Sequence, residues 1–303
     1  MVAPSVMPGA FTGGDAESSA RQLRPLGVGE VLDAAIKLYA RNARTLWRVV
    51  AVVIVPLVLV QQIVIGASLP SGAFVHNGAL YTPTGSLGTP AAGETAEIAL
   101  AVLAALIVNG ALALCLVDAY VGRPLDWRES LQAAADRLGS LLLLSILYGA
   151  LVVLAFIVLI LPGIWLSVIW CVAVPALMFE QVSGFKALER SFELVRGRWW
   201  ATFAELLVTG IMLFIVLVVV GLIFGGIESG LDVSSTGPWF VLNGLSAVLS
   251  DLIVYPFIGS VIAVVYIDQR VRKEALDIDR LAGALGRTTA RTTPSEPPWP
   301  PAE

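Results

Sequence analysis

Long apolar runs without charged residues alternate with short charged segments along most of this chain. A helix needs about 20 apolar residues, at 1.5 Å of rise each, to cross the hydrocarbon core of a bilayer. The uncharged stretch 138–179 is too long for one helix, and Leu161-Pro162-Gly163 favours a tight turn within it. The pattern therefore predicts six transmembrane helices, at about residues 49–69, 98–117, 138–160, 164–180, 206–227 and 247–267.

The basic residues predict how these helices are oriented. All 19 lysines and arginines lie in the N-terminal 48 residues, between spans two and three, between spans four and five, or after span six. The loops at about 70–96, 161–163 and 228–239 contain none. Short cytoplasmic loops are enriched in Lys and Arg. We therefore expect a multi-pass membrane protein with both termini in the cytoplasm.

The segments before spans one, three and five each have an apolar face opposite a charged face, at helical spacing. Helices of this type lie in the headgroup layer of a membrane. Each of these segments is followed by two predicted spans, so the chain contains three units of one amphipathic helix and one helical hairpin. The units are either copies of one repeat, or they are similar only because every amphipathic helix has this spacing. The apolar faces consist of Val28, Leu32, Ala35 and Tyr39; of Trp127, Leu131, Ala134 and Leu138; and of Phe185, Leu188, Phe192 and Val195.

Composition at the two ends sets the predicted domain limits. Residues 1–27 are rich in Pro, Gly, Ser and Ala and have no apolar core, so they are not a signal peptide. The Thr- and Pro-rich tail at 284–303 is typical of disorder. We expect two disordered cytoplasmic ends around one domain, 28–283, which is an all-α, polytopic membrane helical bundle.

Composition also excludes several classes of function. The chain is 57% hydrophobic and 14% charged, with a mean hydropathy of +0.84, too apolar for a soluble protein. One histidine and two cysteines cannot build a histidine metal cluster, a zinc site or a disulfide framework. The net charge of −4 does not support nucleic-acid binding. Phosphate-loop, zinc-protease and hydrolase motifs are absent from the sequence, so we expect neither cofactor nor metal.

Three polar residues within or beside the predicted spans are candidates for function, because burying a charge in lipid is costly. Asp251 lies 16 residues before Ile267, or about 24 Å along a helix. It is either an acid in contact with water at the outer face or a buried proton or cation site. Asn109 is expected to form a hydrogen bond between helices. Glu205 is expected at the inner interface, in a structural role.

Several short motifs occur in an order that resembles a known group of membrane proteins. They are RPLGVGEVLD from Arg24, LPGIW from Leu161, ALERS from Ala187, RGRW from Arg196, YPFIG from Tyr255 and RVRKE from Arg270. Their order resembles actinobacterial polytopic proteins labelled "glycerophosphoryl diester phosphodiesterase membrane domain" and, more distantly, YciC-like inner-membrane proteins.

The resemblance implies the membrane part of such proteins without their hydrolase. A phosphodiesterase barrel needs about 250 residues, and that enzyme family uses a second histidine, which this chain lacks. Relatives encoded beside MoxR-type ATPases also imply an assembly with other envelope membrane proteins. The leading hypothesis from sequence is a non-catalytic scaffold, assembly or lipid-associated module. The alternative is a small transporter or permease with its site near Asp251.

Overall fold

The computed structural model describes residues 27–76, 79–81, 91–121, 126–230 and 235–291. These fall into two compact units, Gly27–Ile267 and the chain from Asp268 onward. Of the predicted disordered ends, 1–27 and 284–303, residues 1–26 and 292–303 lie outside the described residues. Within the second unit, Arg272 donates a hydrogen bond to the Asp268 carboxylate over 2.8 Å, one helical turn away.

The described residues are almost entirely α-helical, as predicted, apart from one antiparallel pair of short strands that join Phe74 to Tyr81 in register. The elements in chain order are α1 Val28–Ser68, β1 Phe74–His76, β2 Ala79–Tyr81, α2 Ala91–Val121, α3 Trp127–Asp136, α4 Leu138–Val158, α5 Ile160–Ile169, α6 Ala173–Glu180, α7 Gly184–Val195, α8 Trp199–Gly230 and α9 Thr236–Arg291.

Six segments are long and apolar enough to span a membrane, which confirms the predicted number of apolar helices in the part of the chain that the structure describes. Some boundaries differ from the prediction, because α1 joins an amphipathic segment and a span in one continuous helix. Helix α9 likewise continues through 284–291, where the composition predicts disorder. The six segments are Val28–Ser68, Ile98–Tyr120, Leu138–Val158, Ile160–Glu180, Trp199–Gly230 and Thr236–Lys273.

The break between spans three and four lies at Leu159, not at the predicted turn Leu161-Pro162-Gly163. Leu159 is extended, and Pro162 and Gly163 lie in the first turn of α5. Proline is tolerated there because the first N–H groups of a helix have no acceptor within it. A side chain at Gly163 would place its Cβ 2.4 Å from the Phe156 ring, so close packing of α4 on α5 requires the glycine.

The charged helices α3 and α7 form separately from the long apolar helices, and local interactions explain their starts and faces. The Asp126 carboxylate caps α3 by accepting hydrogen bonds from the backbone N–H groups of Arg128 and Glu129. On the predicted apolar face of α7, Leu188 is buried and Phe185 is 68% exposed. Whether these helices lie in the headgroup layer stays a prediction.

The centre of the bundle is helix α2, which packs against α1, α3 and α6. Its side chains Leu112 and Leu116 are fully buried and lie against Gly259 of α9. In contrast, α8 buries only one narrow face, which includes Glu205 and Leu213. Helices α2, α6 and α9 therefore enclose the interior in which a functional site is expected.

Candidate functional site

The fourth apolar segment is broken in its middle, between the end of α5 at Ile169 and the start of α6 at Ala173. Pro175 accounts for the break, because proline has no N–H and its ring clashes with the carbonyl four residues earlier, that of Cys171. The backbone tightens there, and the N–H of Cys171 bonds to the carbonyl of Val168 over 3.3 Å.

A buried side chain from a different helix compensates for part of this break. Ser191 of α7 is fully buried and its hydroxyl donates a hydrogen bond to the carbonyl of Ile169 over 2.9 Å. In a continuous helix that carbonyl would accept from Ala173, whose N–H instead bonds to Trp170. Buried carbonyls need such partners because no water is available to them. The packing of α7 against the end of α5 therefore stabilises the break.

A cavity of about 420 Å³ lies beside the break, between α2, α6 and α9. Its polar side chains are Asn109, Asp251, Tyr255 and Cys171, so two of the three predicted candidates lie in one site. Among the described residues that line it, none is basic. The remaining lining residues are apolar or small: Ala113, Val174, Pro175, Val254, Ile258, Gly259 and Ile262.

Asp251 and Asn109 take part in the cavity in different ways. Asp251 is partly buried on α9, one helical turn before Tyr255. The side-chain nitrogen of Asn109 donates a hydrogen bond to the carbonyl of Ala105 in its own helix, over 2.8 Å. This bond lies within one helix, whereas the predicted bond joins two helices. Because the bond uses the nitrogen of the amide, the amide oxygen of Asn109 is the atom that can face a bound molecule.

Glu205 is outside the residues that line the cavity, and its expected place at the inner interface stays a prediction. Its side chain is 1% exposed on the buried face of α8, together with Thr202 and Thr209. It interacts electrostatically with Cys171, which does line the cavity. A deeply buried carboxyl group therefore lies near Cys171, at the helix break.

A polar cluster at the C-terminal end of α6 was not found from the sequence. Glu180 accepts hydrogen bonds from Arg190 of α7 at 2.9 and 3.0 Å, and from the Tyr266 hydroxyl of α9 at 3.0 Å. Burial opposes the charge of Arg190, but the hydrogen bonds and charges of Glu180 and Glu193 outweigh it, so the pKa of Arg190 is raised. The cluster joins α7 to α6 and α9, which are two of the helices that line the cavity.

Sequence signals for these missed residues exist but are weak. Pro175 inside an apolar run indicates a possible break, yet membrane bundles tolerate proline widely. Glu180 reads as an ordinary acid at the end of a span, and its partners are distant in sequence. Within the described ranges, no three His, Cys, Asp or Glu side chains come together as metal ligands would.

Comparison with known proteins gives a family without a known function. A family model described as "Domain of unknown function (DUF8558)" matches residues 138–291, which is slightly more than half of the chain and includes α4 through α9. No curated protein and no solved structure matches the chain. The resemblance to phosphodiesterase membrane domains stays a prediction. By the extent of this match, the chain belongs to the DUF8558 family.

Proposed function

We propose that this chain is a small transporter or permease whose solute site is the cavity at Asp251. One observation carries the proposal: Asp251 and Asn109, from different helices, line a single cavity beside a broken apolar segment. The sequence alone favoured a scaffold, assembly or lipid-associated role. A preformed cavity that is mostly apolar but holds a carboxylate and an amide supports the transporter instead, since a scaffold has no need of one.

The lining of the cavity favours a small organic cation. Its volume of about 420 Å³ falls within the usual range of small-molecule sites, roughly 300–1,000 Å³. Asp251 supplies a negative charge, and the described lining offers no basic side chain to balance it. A cation with an apolar body would pair with the carboxylate, contact the apolar wall, and lie near the Tyr255 ring, whose face attracts cations.

The helix break supports transport rather than simple binding. Irregular backbone at membrane depth, in re-entrant segments as well as in the broken helices of transporters, occurs where it lines a cavity or is buried in protein. Here the break at Cys171 and the short helix α6 border the cavity directly. Helix α6 is only 8 residues long, and Gln181, the residue that follows its end, has a positive φ of 55°. A short helix between two irregular segments is a suitable element to move during solute passage.

The remaining features of the proposal come from the sequence. The basic segments support both termini in the cytoplasm, and the resemblance supports location in a bacterial plasma membrane. The resemblance alone supports an assembly with envelope membrane proteins or a MoxR-type ATPase. It is also the basis for proposing that the chain has no enzymatic activity. Neither is needed for the cavity to bind a solute.

The direct test is equilibrium binding of tetrapropylammonium to the purified full-length protein, measured by calorimetry across the series from tetramethyl- to tetrabutylammonium. We expect saturable binding with an optimum of size. Asp251→Asn should weaken it at least tenfold, or about 1.4 kcal/mol. The matched control is Glu228→Gln, which removes a carboxylate from α8 outside the cavity lining and should leave binding unchanged.

Two results would contradict the proposal. One is the absence of saturable binding for every cation of the series to the folded wild-type protein. The other is equal binding by wild type and Asp251→Asn, which would place the cations somewhere other than the cavity. Asn109→Ala gives an intermediate check. Tetraalkylammonium ions carry no N–H, so this change removes only the attraction between the cation and the amide dipole, and we expect a smaller loss than for Asp251→Asn.

A further inference from the structure

Residues that the hydropathy pattern assigns to opposite membrane faces lie together in the structure. Leu161, Pro162, Trp165, Trp199 and Trp200 line one groove of about 600 Å³, which we call the tryptophan groove. The indole nitrogen of Trp199 donates a hydrogen bond to the Trp165 carbonyl over 3.2 Å. The predicted topology puts Leu161 at the outer face and Trp199 at the inner face, about 30 Å apart. The groove and that topology are incompatible.

The exposed charges of α7 indicate that this helix, which packs beside the tryptophan groove, lies at a membrane surface. Charged side chains are too costly to hold in hydrocarbon, so the exposed face of α7 belongs in water or among headgroups. That face carries Lys186, Glu189, Glu193 and Arg196.

Helix α7 also packs along the hairpin formed by α4 and α5. At its start, a Cβ on Gly184 would lie 3.2 Å from the backbone nitrogen of Leu144 in α4. Near its end, the Phe192 and Trp165 rings are 6.2 Å apart, and Ser191 bonds to Ile169 of α5. Helix α5 therefore lies at the depth of the charged segment 181–198, and the end of α4 lies there too, because Phe156 packs on Gly163 of α5.

The distribution of basic residues fits this arrangement as well as it fits six crossings. The turn at Leu159 and the neighbouring 161–163 carry no charge, so moving them across the membrane strands no lysine or arginine. The ends of the α4–α6 region, Arg137 and Glu180, stay on one side in both cases. The charge pattern cannot distinguish the two topologies, and the contacts of the hairpin do.

The tip of the hairpin still requires hydrocarbon. Five consecutive apolar residues, Ile157 to Leu161, are all well exposed. A continuous apolar surface of this kind on the described fold needs a cover. Helices that lie in a membrane interface insert an apolar face about 5–10 Å into the acyl region and keep charged neighbours at the headgroups. The tip and α7 form this combination.

We infer that the α4–α5 hairpin does not cross the membrane but lies embedded in one leaflet, on the side of the charged segment 181–198. Its tip, Ile157–Leu161, contacts the acyl chains of that leaflet, and the tryptophan groove lies at the level of the headgroups, where Trp is enriched. The partner of this surface is the phospholipid of that leaflet. The chain then crosses the membrane four times, with α1, α2, α8 and α9.

The first test is the side on which the hairpin tip lies. An epitope tag is inserted between Leu159 and Ile160 of the full-length chain, and antibody binding is compared in intact and permeabilised spheroplasts. Reference tags are placed in 181–183 and in 231–234, which joins α8 to α9. We expect the tip tag to become accessible under the same condition as the tag in 181–183. A tip tag that follows the tag in 231–234 would overturn the inference.

A second test needs no insertion and covers the case in which the tagged chain fails to accumulate. Paired cysteines replace Leu161 and Trp200 in a chain with Cys115→Ala and Cys171→Ala, and a short bifunctional thiol reagent is applied to native membranes. The matched control pairs Leu161→Cys with Ile227→Cys, at the other end of α8. We expect at least tenfold more cross-linking between 161 and 200.

Each remaining outcome of the cross-linking test counts against the inference. Preferential cross-linking of 161 to 227 would support six crossings. Cross-linking of neither pair would show that the tryptophan groove does not exist in the membrane. Cation binding at Asp251 is measured separately, so failure of this topology and failure of the proposed transport site can be told apart.

Discussion

The charge of Glu180 is expected to stabilise the bundle, because one carboxylate joins α6, α7 and α9. Glu180→Gln keeps the size of the side chain but places a neutral amide opposite the Arg190 guanidinium. A hydrogen bond to a charged group contributes roughly 1.5–3 kcal/mol. The Arg190 and Glu180 side chains are 29% and 17% exposed, and solvent screening reduces the value. We expect the free energy of unfolding to fall by about 2 kcal/mol.

The Tyr266 hydroxyl gives an independent measure of the same cluster. Tyr266 is fully buried and donates to Glu180, so Tyr266→Phe should cost about 1–2 kcal/mol. Because both changes affect one carboxylate, the double variant should lose about 1 kcal/mol less than the sum of the single losses. Glu189→Gln removes an exposed carboxylate from α7 and serves as the control, with an expected change under about 0.5 kcal/mol.

The assay is unfolding of the purified protein by SDS in mixed micelles, followed by tryptophan fluorescence, with 8 tryptophans as reporters. An equal free energy of unfolding for Glu180→Gln and Glu189→Gln would contradict the stabilising role of the Glu180 charge. Strict additivity of Glu180→Gln and Tyr266→Phe would also refute it, because the two groups would then act independently.

Three further predictions concern packing and the helix break. Gly184→Ala should lower the free energy of unfolding by about 1–2 kcal/mol in the same SDS assay, since its Cβ would press on the backbone of α4; Gly149→Ala, with open space around it, should not. Ser191→Ala should cost about 1–3 kcal/mol by removing the donor to a buried carbonyl, whereas Ser183→Ala, which makes no side-chain cap, should cost little. Pro175→Ala restores a backbone N–H and lets the helix continue through the break, which would close part of the cavity. We expect tetrapropylammonium binding, measured by calorimetry, to weaken about tenfold without a loss of stability. Unchanged binding would show that the break is not part of the proposed site.

Sequence alone determined the features that depend on residues close together in the chain. The preference of a segment for a bilayer is a sum over about 20 consecutive residues, so the six apolar helices of the described chain follow from hydropathy. The ion pair of Asp33 with Lys37, at 2.6 Å, follows from helical spacing. Asp251 and Asn109 were recognisable as candidates because polar side chains are unusual in such segments.

Tertiary structure decided which of these residues meet. The cavity joins Asp251 to Asn109, and the cluster joins Glu180 to Tyr266, across large distances in sequence. No local pattern encodes those pairs. Glu205 illustrates the same limit, because its position in the sequence does not indicate burial, and only the packing of α8 leaves its side chain 1% exposed.

The faces and the paths of the helices also required the structure, for a reason specific to membranes. Lipid is as apolar as a protein core, so hydropathy does not tell a side chain that faces lipid from one that faces another helix. Phe185 and Leu188 are equally apolar in sequence, but only Leu188 is buried. The turn at Leu159 likewise lies in an apolar run, and only its contact with the tryptophan groove indicates the membrane face to which it belongs.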